Sequence, residues 1–455
     1  MRTLKGPGCV GCPFQHRGKY MVPDENRPGA RVKIIGQNPG VEEEEEGRPF
    51  VGATGRAMAG PYFQVAALTR DECSIGNVIR CRVDGSNELP NPKGNLPADQ
   101  ELRNAISHCA RAYGQVPAGT QLCVAQGDHA ALGTTGDASS DEWRGWLVPL
   151  LGTRDHGRHL SEPWVPERGE VSVLVTVHLA RLFRDPQLTL PTLHDWSKIP
   201  RILAGKWPRR PPRFHYGPVP AWPSRFSFDT EYVPAHNPLA AELLRYSLCA
   251  GTGDGQTIVC EAADHVPPVV APGSVVVTQY APADVHHFAA LTGRTVAQVF
   301  DDFTIDDLVI KHAALFAWPE HNLDFLGSLW ASINRWKHLR EVQGAELLYA
   351  GCDALGEWEV DVALERELTR DPQSRRVYET IDRPAIPSLV EAQYAGVRVD
   401  RARLKQVMGQ LDAERVRATN QAAAAVGWPI NLNSPDQVGH QIYRINGLRP
   451  PGRKR

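Results

Sequence analysis

Carboxylates recur in the middle of this chain at spacings that would converge on one point. Asp229 and Glu231 stand at i and i+2 in Phe226-Ser-Phe-Asp-Thr-Glu, which reads as a strand, so both side chains leave the same face. Tyr349 and Asp353 are four apart in a helix-compatible stretch and share a helix face. Asp284 closes the run Val275–Asp284 between them. Carboxylate oxygens are hard ligands suited to Mg2+ or Mn2+. Two such ions about 4 Å apart can activate a water and steady a leaving oxygen. A separate set is made of sulfur: Cys9-x2-Cys12, Cys81 and Cys109, with Cys73 and Cys123 as spare candidates. Thiolates are soft ligands that prefer iron–sulfur clusters or zinc, and a CxxC alone does not choose between them.

These residues need more than one core to position them. A chain of 455 residues predicts about two to four domains. The net charge of −2 excludes a globally basic nucleic-acid binder, so any such contact must come from local patches. No apolar run approaches the ~18 residues of a membrane span, and a CxxC stands where a signal peptide would carry its apolar stretch. The expectation is a cytoplasmic, reducing compartment, where nine cysteines point to a metal site or free thiols rather than disulfides.

Residues 31–36, 74–79 and 171–177 are short β-branched runs, separated by helix-compatible stretches such as 99–112. Strands alternating with helices predict an α/β sandwich, three layers around a mostly parallel sheet. Residues 205–224 hold six prolines, which bar a regular helix or a central strand and mark a domain boundary. Arg209, Arg210 and Arg213 among Trp207, Phe214 and Tyr216 fit either a solvated linker or a segment that tracks a DNA backbone. Beyond it, 225–231 and 273–279 read as strands, and 239–246 and 283–291 as helices. The histidines 286, 287 and 312 read as bystanders near helix surfaces. From Arg375 the pattern turns helical. Asp400 is placed to cap a helix whose Leu404, Met408 and Leu411 share one face, and Ser434-Pro435 starts another. The expected divisions are 1–205, 206–224, 225–374 and 375–455.

The order Gly36-Gln-Asn-Pro-Gly40, Gly47-Arg-Pro-Phe-Val-Gly52, Asn77-Val-Ile-Arg-Cys81, His178 resembles the family 4 uracil-DNA glycosylases. The resemblance implies a pocket for a base flipped out of DNA. It assigns Phe50 as stacking platform, Asn77 as the amide pairing with the uracil edge, and Gln37 to the same base-binding group. His178 would donate to the base as charge develops on it. Glu43 and Glu44 match the family's acidic pair. Gln37 stands where the family usually has Glu, and Asn38 is similar to the water-positioning Asn of mismatch-specific glycosylases. His178 is followed by Leu179-Ala180 rather than the usual proline. Cys9, Cys12, Cys81 and Cys109 match four ligands of a [4Fe–4S] cluster, with zinc or unligated thiols as alternatives. The last interval is widened by residues 83–96, which read as an inserted loop.

Asp229, Glu231, Asp284, Tyr349 and Asp353 together resemble the Asp-Glu-Asp-Asp set, tyrosine subtype, of proofreading 3′–5′ exonucleases with a ribonuclease-H-like α/β fold. The resemblance implies two Mg2+ or Mn2+ ions, with Asp229 bridging them. Glu231 and Asp353 would complete one site, Asp284 would support the other, and Tyr349 would orient the attacking water. Residues 378–448 resemble the start of a family A DNA polymerase thumb, on Ile386-Pro-Ser-Leu-Val-Glu-Ala-Gln-Tyr-Ala-Gly-Val-Arg-Val-Asp400 and Asn431-Leu-Asn-Ser-Pro-Asp-Gln-Val-Gly439. This chain alone is expected not to carry the palm and fingers needed for polymerisation. The expectation is a DNA repair and proofreading enzyme, one half of a split phage-type replicase whose partner supplies palm and fingers. The alternative is a non-catalytic subunit that grips uracil or template for a polymerase.

Overall fold

A computed structural model of the chain describes residues 2–84, 87–114, 116–152, 160–233, 241–316 and 320–448. The basic end at 449–455 therefore lies outside the described residues, as do parts of the inserted loop and of the 239–246 segment. The chain divides into two compact units, Met1–Glu88 with Ala105–Tyr394, and Leu89–Asn104 with Ala395–Arg455.

The first unit contains two α/β sheets. In one, the strands run in the order Cys73–Asn77, Val32–Gly36, Leu122–Gln126, Ser172–Thr176 and Leu147–Pro149. The first four are parallel and the last is antiparallel to its neighbour. Every residue of these five strands is buried, as expected of a sheet covered on both faces. Parallel pairing brings the C-terminal ends of four strands to one edge, where an α/β sheet places its ligands.

The other sheet runs Thr304–Asp307, Val275–Thr278, Arg225–Val233, Glu242–Cys249, Thr257–Glu261, His215–Tyr216. Its described C-terminal part of the 239–246 segment is a strand, not the helix expected. Glu242–Cys249 pairs antiparallel with strands on both sides, across a register shift between Leu243 and Arg245. Tyr246 and Leu248 point into an aromatic core with Trp222, Phe226, Phe228 and Phe288. Tertiary burial overrode the local helical reading.

The proline-rich segment is packed rather than solvated. Trp207 is buried and its indole N–H donates to Ala331 O at 3.1 Å. Arg209 pairs with Glu359, the Phe214 ring lies against Gly351, and Trp222 stands at the centre of the aromatic core. Proline forbids helix and interior ladder but not an extended chain laid along a sheet edge, which His215–Tyr216 and the bridge Ala221↔Val269 realise.

The long helix Glu346–Arg370 lies against the second sheet. Ser227 and Ser247 donate their hydroxyls to Ala354 O and Ala350 O at 2.6 and 2.8 Å. The buried Lys311 ammonium joins Asp306, Asp361 and Glu365 at 2.6–2.8 Å, tying a strand to this helix. Tyr378 donates to Asp306 at 2.8 Å, and Ile386 and Val390 of the helix Arg383–Ala395 enter the aromatic core. Contacts of the second sheet's core thus extend beyond residue 374.

In the second unit, Asp400 accepts from Arg403 N at 2.9 Å and caps the helix Arg401–Val426, which ends on Gly427 at φ 81°. Leu404, Met408 and Leu411 are 47, 56 and 60% exposed. No helix among the described residues is long and apolar enough to cross a membrane.

Burial depresses several histidines of the first unit. His178, His287 and His338 are pushed down to about 4, and His194 and His312 to about 3. His287 and His312 are buried core residues rather than surface ones. An unfolded histidine titrates near 6.5. The folded state therefore takes up fewer protons, and this contribution is fully present above that value and lost as pH falls toward 4. The thermal midpoint should fall steadily between pH 6.5 and 4 in a scanning-fluorimetry series; a flat profile would contradict the burial of these rings.

Candidate functional site

At the C-terminal edge of the first sheet, the loops after two adjacent strands stay in register. Val78 N donates to Gly36 O and Ile79 N to Gln37 O, each at 3.0 Å. A methyl built on Gly36 would lie 2.5 Å from the Phe50 ring and 2.6 Å from Asn77 Oδ1, so both side chains converge on that glycine. Phe50 is buried with φ at +53°, a conformation costly for a bulky residue. Arg70 holds it there, donating to Phe50 O at 2.9 Å and Pro49 O at 2.6 Å while pairing with Glu25. The ring is thereby fixed in a strained, clamped position.

Glu43 sits in the short helix Val41–Glu46 and accepts from Gly52 N at 3.0 Å. Its carboxylate also packs on Gly40, where a methyl would come within 2.4 Å, so it joins the two loops that flank Phe50. Asn38 is half-buried and donates weakly to Pro39 O at 3.4 Å. His178 follows Ser172–Thr176, two strands from Val32–Gly36. Its Nδ1 accepts from Ala180 N at 3.2 Å. That bond leaves the proton on Nε2. Burial, then His129 and Arg184, push the imidazole down to about 4, so it is neutral near pH 7. Gly127, at φ 80°, allows the neighbouring turn to approach, since a methyl there would meet His178 Cβ at 2.9 Å.

Cys9, Cys12, Cys81 and Cys109 line one cavity, together with Arg80, His108 and Tyr113. The wide interval between the last two does not separate them, since Cys81 and Cys109 line the same cavity. Donors face the sulfurs: Phe14 N to Cys12 at 3.4 Å and Arg80 to Cys109 at 3.5 Å. Cys9 lies 3.4 Å from the Tyr113 hydroxyl. Four thiols lining one cavity, two buried and two half-buried, with donors beside them, fit a thiolate-bound cluster, whereas their sulfurs are not among the described groups close enough to share a single ion. Cys73 and Cys123 are buried in sheet strands and do not line this cavity.

In the second sheet, ligand atoms of Asp229, Glu231 and Asp353 lie within 4.8 Å of one another. Asp284 is beside them, accepting from Thr230 Oγ1 at 2.6 Å. Burial and mutual repulsion hold Asp229 well above the usual carboxylate range, and Asp229 Oδ2 is buried with no hydrogen-bond partner among the described residues. Glu231 is raised by burial and Asp353, and Asp284 is pushed up mainly by burial to about 7. Tyr349, raised by burial and Asp353, keeps its proton, with its hydroxyl 3.3 Å from Lys337 Nζ. Crowded, partly unsatisfied carboxylates fit a hard divalent cation. The Asp306, Asp361 and Glu365 group is different, because Lys311 and Arg225 are already paired with it.

Sequence reasoning missed the groups that complete this centre. Asp353 Oδ1 accepts from Trp336 Nε1 at 2.6 Å and Lys337 Nζ at 2.5 Å. Glu357, one turn beyond Asp353, is fully buried with neither oxygen paired among the described residues, and burial and the acidic set hold it well above its usual range. Its i+4 spacing from Asp353 was a signal available in the chain; nothing local marks Trp336 or Lys337.

Residues 23–198 match the family described as the uracil DNA glycosylase superfamily. The type-4 uracil-DNA glycosylase of Sulfurisphaera tokodaii is 38% identical over 197 residues, which are 42% of this chain and 78% of that protein. DNA polymerase I of Bacillus caldotenax is 40% identical over 86 residues, 18% of this chain and 10% of the polymerase. Among solved structures, Brucella melitensis NrnC with bound Mg2+ covers 40% of this chain and 94% of that one, at 20% identity and a TM-score of 0.32. A likeness at that score carries no argument.

Repulsion within the acidic set predicts a stability cost. Asp284→Asn removes one charge and should raise the thermal midpoint in EDTA by about 2–4 °C. The same variant should lose most of the midpoint increase that Mn2+ gives the parent. Unchanged behaviour in both conditions would remove Asp284 from the centre.

Proposed function

The chain belongs, through its first two hundred residues, to the type-4 uracil-DNA glycosylases, and from that premise we propose a DNA repair protein that joins uracil excision to 3′–5′ exonuclease trimming. The observation that carries the first activity is the clamped Phe50 facing Asn77, with a neutral His178 at the same sheet edge. A flipped uracil would stack on Phe50 and pair with the Asn77 amide. His178, its Nδ1 engaged by Ala180 N, donates from Nε2 to the base oxygen as the glycosidic bond breaks. Glu43 or Asn38 positions the water, because Gln37 has no carboxylate to serve as base. Cys9, Cys12, Cys81 and Cys109 would hold a [4Fe–4S] cluster, whose contribution is to brace the N-terminal segment and Cys109 around the pocket.

The second activity rests on the convergence of Asp229, Glu231 and Asp353 beside Asp284. Mg2+ or Mn2+ ions bound there would supply the activated water and the stabilised leaving oxygen. The residues themselves hold the ligand geometry, and the protonated Tyr349 hydroxyl orients a water. The exposed Leu404, Met408 and Leu411 support a third element of the reading, a polymerase chain with palm and fingers docking on the second unit.

One assay separates these claims: 5′-labelled uracil-containing DNA, single- and double-stranded, with and without Mg2+. Abasic sites should form without metal, and 3′ shortening should require it. His178→Ala should slow excision about 10²-fold or more, by analogy with a lost oxyanion donor. Asp229→Ala with Glu231→Ala should abolish shortening and spare excision; digestion at the parental rate would sink the exonuclease. A parent that binds uracil DNA without cleaving it would leave the scaffold reading. The purified protein should be brown, and a colourless protein carrying zinc would displace the cluster. Charging the stripe by Leu404→Glu, Met408→Glu and Leu411→Glu should release a co-purifying polymerase chain while both activities persist. If no polymerase chain associates with the parent, the split-replicase reading falls.

A further inference from the structure

We infer that Trp336 is a positioning residue for the metal ligand Asp353, and that the glycosylase module fixes Trp336 through Trp146. The inference rests on the reading of the acidic set as a metal centre. It starts from a fully buried indole whose Nε1 donates to Asp353 Oδ1 at 2.6 Å. With that oxygen also taken by Lys337, Oδ2 is the oxygen left to face a cation. A donor in this place sets the carboxylate's rotation, and such outer partners carry much of a metal site's affinity.

The indole cannot turn away, because its own module grips it on two sides. A methyl on Gly356 would lie 2.6 Å from the Trp336 ring, and one on Gly327 would lie 2.8 Å from it. The third side belongs to the other sheet. Trp146, buried at the start of that sheet's edge strand, meets Trp336 edge-on with centroids 5.9 Å apart. The approach is fixed two residues earlier by Asn334. Its Oδ1 accepts from Leu147 N at 3.1 Å, and its Nδ2 donates to Leu147 O at 2.9 Å. One amide thereby satisfies the free edge of Leu147–Pro149 and sets the height at which the two indoles meet. Arg144 adds a buried link, bonding Asp195 at 2.7 Å on its own side and Ser328 on the other. The path from the glycosylase sheet to a ligand of the acidic centre is therefore two side chains long, and both are packed in place. The glycosylase module is a wall of the exonuclease centre, not only its neighbour.

Mn2+ affinity of the full-length chain, measured by the loss of the free-ion EPR signal, tests this. Trp336→Phe keeps an aromatic ring but removes the N–H, and should weaken binding about tenfold or more. Trp146→Leu, a substitution in the other module, should weaken it in the same direction by several-fold, and Trp146→Phe should restore most of the loss. The double variant should lose less than the product of the single losses, since both act through one contact. Uracil excision, which does not use Trp146, serves as the check that each variant is folded. If Trp146→Leu does not fold, Ser328→Ala loosens the same interface without emptying it and should also lower affinity. Parental affinity in the folded Trp146 and Ser328 variants would overturn the cross-module link, and parental affinity in Trp336→Phe would overturn the positioning role. A parent that binds no Mn2+ would instead overturn the metal-centre reading on which both stand.

Discussion

Much of this structure follows from pressing like charges into one dry space. The strands Arg225–Val233 and Glu242–Cys249 lie on the long helix Glu346–Arg370 through one hydroxyl-to-carbonyl bond each, from Ser227 and Ser247, which set the register between sheet and helix. In that register Asp229 and Glu231 meet Asp353. Asp229 and Glu231 then resist ionising because burial removes water and neighbouring carboxylates repel them. A structure that tolerates this arrangement gives up stability for chemistry, as functional sites commonly do. Elsewhere in the same sheet region the fold pairs a second acidic group with cations. Asp306, Asp361 and Glu365 receive the Lys311 ammonium, and Arg225 reaches Asp361 at 2.5 Å. The first group differs in that, of its carboxylates, Lys337 reaches only Asp353, while Asp229 Oδ2 has no hydrogen-bond partner among the described residues, which favours the proposed cation site.

The pocket at the edge of the first sheet works on the opposite principle. An aromatic ring and a carboxamide meet at Gly36, and the imidazole at the same sheet edge is kept uncharged by burial. What the fold invests there is conformational strain rather than charge. Phe50 is held at a positive φ by the Arg70 clamp, and Gly36, Gly40 and Gly127 are small because side chains of the pocket come within about 3 Å of where a Cβ would stand. A neutral, rigid pocket suits an uncharged base that becomes anionic only as it leaves.

Between the two sheets there is no loose tether. The proline-rich segment runs as an extended strap with Trp207 and Trp222 buried, and the segment through Asn334 and Trp336 reaches the edge strand of the first sheet. Across the joined surface Arg335 pairs with Glu142 at 3.1 Å, and the buried Arg144 and Lys198 both reach Ser328. Such groups are costly to separate once their partners are in place, and the two sheets fall within the first compact unit.

Local periodicity explains what was legible in the chain itself. Alternation put Asp229 and Glu231 on one strand face, helical spacing joined Tyr349 to Asp353, and Asp400 announced the helix it caps. Three of the four buried parallel strands were visible as β-branched runs, at 31–36, 74–79 and 171–177, and the motif order pointed to Phe50, Asn77 and His178, which the fold brings to one sheet edge. Other features depend on contacts far apart in sequence. Residues 242–246 became strand because Tyr246 and Leu248 found an aromatic core, although the residues before them read as helix. Six prolines suggested a linker, and only the sheet edge and the indole sites beside it made the segment a strap. Trp336 and Lys337 carry no local mark of their role, since each reaches Asp353 across the packing of separate elements. The sequence by itself determined which residue types could do the chemistry and on which faces they lie; the tertiary structure alone decided their partners, because burial and charge pairing are set by neighbours that backbone periodicity does not encode.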